Sequence, residues 1–274
     1  MGQLHAAKLV ERSDVDLSIV DPAAGKAGPV PEAPDFAIIA TPTDSHAEIA
    51  LPLLERGVPC LVEKPLSATA QEAAPLAAFP HLCVAHVERF NPALIPLADC
   101  RPRFLQAERI APFSGRSTDL DVISDLMIHD IDLALRFMPG TVVDVRAVGV
   151  GVVTGTADIV DARIEIQQED GFLAVATLTA SRVSRRAART LRLVEPGTYW
   201  TVDLAQARVQ RVPWGEGGLG AMEVPVPSGD ALQREHQAFL EAVRGLASFP
   251  CSGAEGLAAV AVADQVRAAV EAGQ

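Results

Sequence analysis

Two residues spaced for one ligand open this 274-residue chain: Gly2, which stands ahead of helix formers, and Asp21, which ends the run Val15-Asp16-Leu17-Ser18-Ile19-Val20 nineteen positions later. A helix entered through a glycine turns unpaired N–H groups toward a pyrophosphate. An acid about 20 residues on accepts hydrogen bonds from ribose hydroxyls. The spacing points to a dinucleotide, and because an acid there repels a 2′-phosphate, NAD is expected over NADP. Three further groups of polar residues follow apolar runs: Thr41-Pro42-Thr43-Asp44-Ser45-His46, Glu63-Lys64-Pro65, and His86-Val87-Glu88-Arg89-Phe90-Asn91-Pro92. Asp125 and His129 lie four apart, on one face of a helix, where they form either a local pair or part of a site.

The elements that must carry these groups are legible. Gln3 to Glu11 reads as a helix and Val15–Val20 as a strand stopped by Pro22. Phe36–Ala40, Pro59–Val62 and Leu82–Ala85 are short apolar runs of the buried parallel type, with a helix over Ala47–Arg56. Each run delivers its polar group at the carboxyl end of a strand, where open parallel sheets bind ligands. From Arg103 to Val226 the pattern changes to strands punctuated by Gly, Asp and Pro: Phe104–Ile110, Val142–Val153, Ala162–Gln167, Phe172–Ala180, Thr190–Val194 and Thr198–Leu204. That predicts a mainly antiparallel sheet, interrupted by a helix over Ser124–Phe137 and closed by helices over Leu232–Val243 and Gly256–Ala272, neither of which reads as catalytic. The expected class is α/β: a Rossmann-like parallel sheet over 1–92, then an α+β domain over 93–274.

Composition narrows the function. A net charge of −12 argues against nucleic acid, because phosphate binding needs clustered Lys and Arg. Cys60, Cys83, Cys100 and Cys251 have no CxxC spacing, so buried thiols are expected rather than a metal or a disulfide framework. With neither a long apolar run nor a secretory pattern, the expectation is a cytoplasmic protein that binds no membrane and takes a small molecule.

Ala40-Thr41-Pro42 with His46, then Glu63-Lys64-Pro65, then the His86–Pro92 run, then Asp125-Leu126-Met127-Ile128-His129 with Asp132, in this order, resemble the glucose–fructose oxidoreductase, inositol dehydrogenase and MocA family (Gfo/Idh/MocA). Its wording is most similar to the branch that oxidises the 3-hydroxyl of a UDP-linked amino sugar. The resemblance implies an NAD-dependent dehydrogenase acting on a secondary hydroxyl of a sugar or nucleotide sugar. It implies that Lys64 lies beside the nicotinamide and bonds the reacting hydroxyl, as base or relay, while Asp125 and His129 reach in from the second domain. It places Gly2, Asp21, Thr41, Pro42, His46, Glu63, Lys64 and Arg89 at the cofactor and Lys64, His86, Asp125 and His129 at the substrate, with no metal. It also implies a cis Lys64–Pro65 bond and a homodimer or homotetramer through the open face of the second sheet. A lysine before a proline is otherwise a turn residue, Asp132 a structural one, and His46 and His86 supporting groups; His5 is a weaker candidate.

The chain departs from that pattern in two places. The strand and glycines that precede Gly2 in the family are not in the sequence, and only 14 residues separate Asp21 from Phe36, too few for a helix, a strand and their connections. The expectation is a reading frame whose upstream part supplies the strand. The alternative is a catalytically silent relative that serves as a binding or scaffold protein.

Overall fold

In the computed structural model, which describes residues 1–21, 25, 30–115, 120–215 and 218–273, the chain forms two compact units, each made of two segments. The first unit joins Met1–Val87 to Asp230–Leu257, and the second joins Glu88–Gly229 to Ala258–Gln274. The division is thus not one cut along the chain, since a helix from the closing region returns to the first unit.

The first unit begins with α1 (Gly2–Leu9) and continues through β1 (Ala37–Ile39), α2 (His46–Glu55), β2 (Cys60–Glu63), α3 (Ala70–Ala77) and β3 (Leu82–Ala85). The three strands run parallel in the order β1-β2-β3, with Ile39 opposite Val62 and Glu63 opposite Ala85. All residues of β2 and β3 are buried, which is why they read as unbroken apolar runs rather than alternations. Both crossovers are helices, α2 held at its end by the Gly57 turn (φ +80°) and α3 capped by the Thr69 hydroxyl on Glu72 N–H.

The expected strand Val15–Val20 does not form: the segment is extended, with Ile19 and Val20 each 40% exposed, and pairs with no named strand among the described residues. An alternating sequence becomes a strand only against a neighbour. Asp21 is described at the end of this segment; residues 22–24 and 26–29 lie outside the described ones.

In the second unit β4 (Phe104–Ile110) is followed by a π-helical turn (Ile123–Met127) that runs straight into α4 (Ile128–Phe137). Next come β5 (Thr141–Val150), β6 (Ile159–Gln167), β7 (Leu173–Ser181), β8 (Ala188–Glu195), β9 (Thr198–Asp203), β10 (Arg208–Gly215), β11 (Gly218–Leu219) and β12 (Met222–Val224). The sheet order is β11-β10-β9-β8-β4-β7-β6-β5, with β12 on β10. All pairings are antiparallel except β4 with β7, so the sheet is mixed. On its covered face Ala107 of β4 and Ala174, Ala176 and Ala180 of β7 are buried. Alanines there let the π turn and α4 pack close on β4 and β7.

The closing helices are α5 (Ala231–Val243), capped by the Asp230 carboxylate on Gln233 N–H, and α6 (Gly253–Ala272). Phe239 of α5 fills the first unit's core against Leu61, Cys83 and Ala85, with Phe36 and Phe249 edge-on to its ring. At the start of α6, a Cβ on Gly256 would meet Val84 at 2.5 Å and one on Gly253 would meet Leu82 at 2.8 Å. Glycine is what lets this helix lie on β3. Burial pushes the Cys60 and Cys83 thiols up to about 12, so both pack as small apolar groups.

Candidate functional site

In the first unit the carboxyl ends of the parallel strands bring the expected groups to one edge. A Cβ on Gly2 would lie 3.8 Å from Ala40, so the N-terminal turn of α1 stands at the end of β1. The helix's first N–H groups have no intrahelical acceptor and carry its positive pole, which suits a pyrophosphate. Beside it, exposed Thr41 and Pro42 form a turn closed by Ser45, whose Oγ lies 2.8 Å from Thr41 Oγ1 and 2.7 Å from Pro42 O.

His46 is buried between two turns, with Nε2 3.1 Å from Thr41 O and Nδ1 3.1 Å from Pro65 O. Its ring ties the end of β1 to the end of β2, a bracing place like the supporting role that the sequence offered for it beside a cofactor contact. Glu63 and Lys64 follow directly. The Glu63 carboxylate is buried and accepts from Lys64 N–H at 3.2 Å; the Lys64–Pro65 bond is cis and Lys64 is half-buried. His86 is buried at the end of β3, its N–H donating to Val84 O.

The second unit holds Asp125 in the π turn and His129 in the first turn of α4, both half-buried. Braces hold this helix on every side. Arg109, on the covered face of β4, makes a two-pronged bond to Asp130 (2.8 and 2.9 Å) and reaches Glu88 at 2.8 Å. Burial opposes the Glu88 charge, but Arg109 outweighs it and holds the carboxyl below its ordinary range. Arg89 grips Asp132 at 2.6 to 3.1 Å, so this arginine, expected at the cofactor, is engaged in a buried ion pair that fixes α4. Asn91 donates to Glu88 and to Leu204 O and caps Ala93 N–H. Ahead of the π turn, Arg267 of α6 holds Asp121 at 2.9 Å, and Asp121 receives Ser124 N–H at 2.7 Å. The residues on either side of His129 are therefore spent on orientation.

Sequence reasoning missed three groups. Arg109 follows Leu105 and Ala107 on the inward side of an alternating strand, and a charge at such a position needs a buried partner. Glu235 and His236 fall on the apolar stripe Leu232, Phe239 and Leu240 of α5, which is buried at all five positions. His5 Nε2 donates to Glu63 at 2.8 Å, and His5 Nδ1 lies 2.7 Å from His236 Nε2. Two polar residues inside a buried stripe were the signal.

The arrangement suits a dinucleotide: a helix pole at the carboxyl edge of a parallel sheet, an acid at the end of the following segment, and an accessible turn at Thr41 and Pro42. Comparison with known proteins agrees. Residues 4–79 match the profile of an oxidoreductase family with an NAD-binding Rossmann fold. The chain is 38% identical over 252 residues to the UDP-N-acetylglucosamine 3-dehydrogenase of Acidithiobacillus ferrooxidans, an alignment covering 87% of this chain and 79% of that one. A solved structure of that enzyme superposes with a TM-score of 0.81 at 39% identity, over the same shares of the two chains. The rhizopine catabolism protein MocA of Rhizobium meliloti is 27% identical over 303 residues, covering 96% of this chain and 90% of that one.

Proposed function

The chain belongs to the Gfo/Idh/MocA family of NAD-binding oxidoreductases, and on that premise we propose that it oxidises the 3-hydroxyl of a UDP-linked N-acetylamino sugar to a ketone. The observation that carries the reading is the Glu63-Lys64-Pro65 turn at the carboxyl end of β2, in a chain so similar to a dehydrogenase of that specificity.

NAD, when bound, supplies the hydride acceptor. Gly2 and the first turn of α1 receive its pyrophosphate, Asp21 its adenosine ribose, and Thr41, Pro42, Glu63 and Lys64 line its course. The protein's own chemistry is proton management. A carbinol carbon releases hydride only as its hydroxyl releases a proton, so a base must stand within hydrogen-bond reach of that oxygen. Lys64, half-buried at the carboxyl end of β2, takes this place. Asp125, His129 and His86 are the groups that this reading assigns to the sugar hydroxyls. The same reading carries a homodimer or homotetramer through the open face of the second unit's sheet.

The test is formation of NADH from NAD and UDP-N-acetylglucosamine, compared with UDP-glucose and free N-acetylglucosamine. Lys64→Met should lower kcat/KM by about 10³-fold, and His129→Ala by at least about tenfold. Oxidation of the free sugar but not the nucleotide sugar would replace the proposed substrate class, and no hydride transfer with any of them would end the reading.

A further inference from the structure

The Glu63 carboxylate is occupied on both oxygens, and each partner comes from a different part of the chain. Oε2 accepts the Lys64 N–H at 3.2 Å, and Oε1 lies 2.8 Å from His5 Nε2 in α1. A carboxylate is planar, so fixing one oxygen fixes the other. It accepts but does not donate, so His5 presents Nε2–H to it. The other ring nitrogen of His5 is 2.7 Å from His236 Nε2, a distance that requires one proton between two imidazoles. Burial, then the neighbouring His5, lowers His236 to about 4, so its ring is neutral near pH 7. The one hydrogen bond that the two rings share ties the His5 ring to α5. All three residues are at most 6% exposed, so water does not replace any of these bonds easily.

We propose that His5, its ring held by His236, is a positioning residue for Lys64: it holds Glu63 in the orientation that receives the Lys64 N–H and so fixes where the lysine begins. The proposal rests on the part in the reaction assigned above to Lys64. It also gives α1 and α5 a shared task, since a displacement of either helix moves the turn between them. A lysine displaced by about 1 Å costs on the order of 10²-fold in rate, which is the scale on which a clamp matters.

Three variants separate the clamp from mere packing. His5→Leu keeps the volume and removes the donor; His5→Asn keeps an amide too short to reach Glu63, and serves if the leucine variant does not fold. His5→Gln restores both bonds, with Nε2 donating to Glu63 and Oε1 accepting from His236. Two quantities are read: hydrogen exchange at the Lys64 amide in the protein without cofactor, and kcat and KM with NAD and UDP-N-acetylglucosamine. The expected result is about tenfold faster exchange in His5→Leu and His5→Asn, the value of one lost hydrogen bond, with kcat down about 10²-fold, KM for NAD within about threefold, and both restored in His5→Gln. Unchanged exchange in His5→Leu and His5→Asn overturns the clamp whatever the activity. Faster exchange with unchanged kcat leaves the clamp standing and instead removes Lys64 from the reaction.

Discussion

Glu235 is fully buried in α5, and neither carboxyl oxygen has a hydrogen-bond partner among the described residues. Burial, and then the nearby Glu63, raises it from 4.5 to about 9, so it holds its proton at neutral pH. This has a signed consequence. Below about pH 4.5 the folded and unfolded chains both keep the proton and folding carries no penalty. As the pH rises, the unfolded chain releases a proton that the folded one retains, so stability falls until about pH 9. His236 acts in the opposite window: its folded value of about 4 lies below 6.5, so its contribution is full above 6.5 and lost as the pH falls toward 4. Glu235→Gln is expected to remove a slope of up to about 1.4 kcal/mol per pH unit between pH 6.5 and 9, and to leave the acid limb in place. Urea denaturation across that range checks this, and an unaltered slope means that Glu235 is ionised in the native protein.

Among the elements, α4 depends most on charge. Arg109 satisfies Asp130 and Glu88 together, and its removal leaves two carboxylates in a dry interior. Arg109→Met should destabilise by about 3–5 kcal/mol, whereas Arg186→Met, in the exposed connection between β7 and β8, should cost under about 1 kcal/mol. Equal midpoints for the two variants in chemical denaturation would contradict this. What could be read in the sequence follows the same physics. Leu82–Ala85 and Phe104–Ile110 were legible to the residue, because burial pattern and turn residues bound them. β10 to β12 were not, because Pro213 within a strand argues against strand and Arg208–Gly215 carries no clean alternation. The parallel pairing of β4 with β7 was also hidden, since periodicity says which face a residue takes and nothing about its neighbour. At the site, Lys64, Asp125 and His129 came from motif resemblance and His5 was a weaker candidate, while His236 and Arg109 became visible only when distant segments met.

At the scale of the whole molecule, the assembly proposed above uses the open face of the second unit's sheet. It is laddered with polar pairs: Gln106 with Arg192, Glu108 with Arg186, Asp161 with Thr179, and Arg163 with Glu165. A surface of this kind associates through matched charges, so salt and charge reversal should loosen it. Light scattering should give the mass of a dimer or tetramer, and Glu108→Arg, which sets like charges side by side, should weaken association at least about tenfold. A monomer at every concentration would contradict this assembly. Among the described residues no helix is long and apolar enough to cross a membrane.

The interleaving of the two units also sets an order of events during synthesis. β1, β2 and β3 leave the ribosome early, but Phe239, which fills their core, and Gly253 and Gly256, which let α6 lie on β3, follow only after the whole larger sheet has been made. The nascent first unit therefore waits with its apolar strands uncovered while the second unit folds between its halves, the interval in which unpaired edges attract other chains or chaperones. Maturation of the edge that carries Lys64 is thus a late event, even though β1, β2 and β3 all precede the larger sheet in the chain.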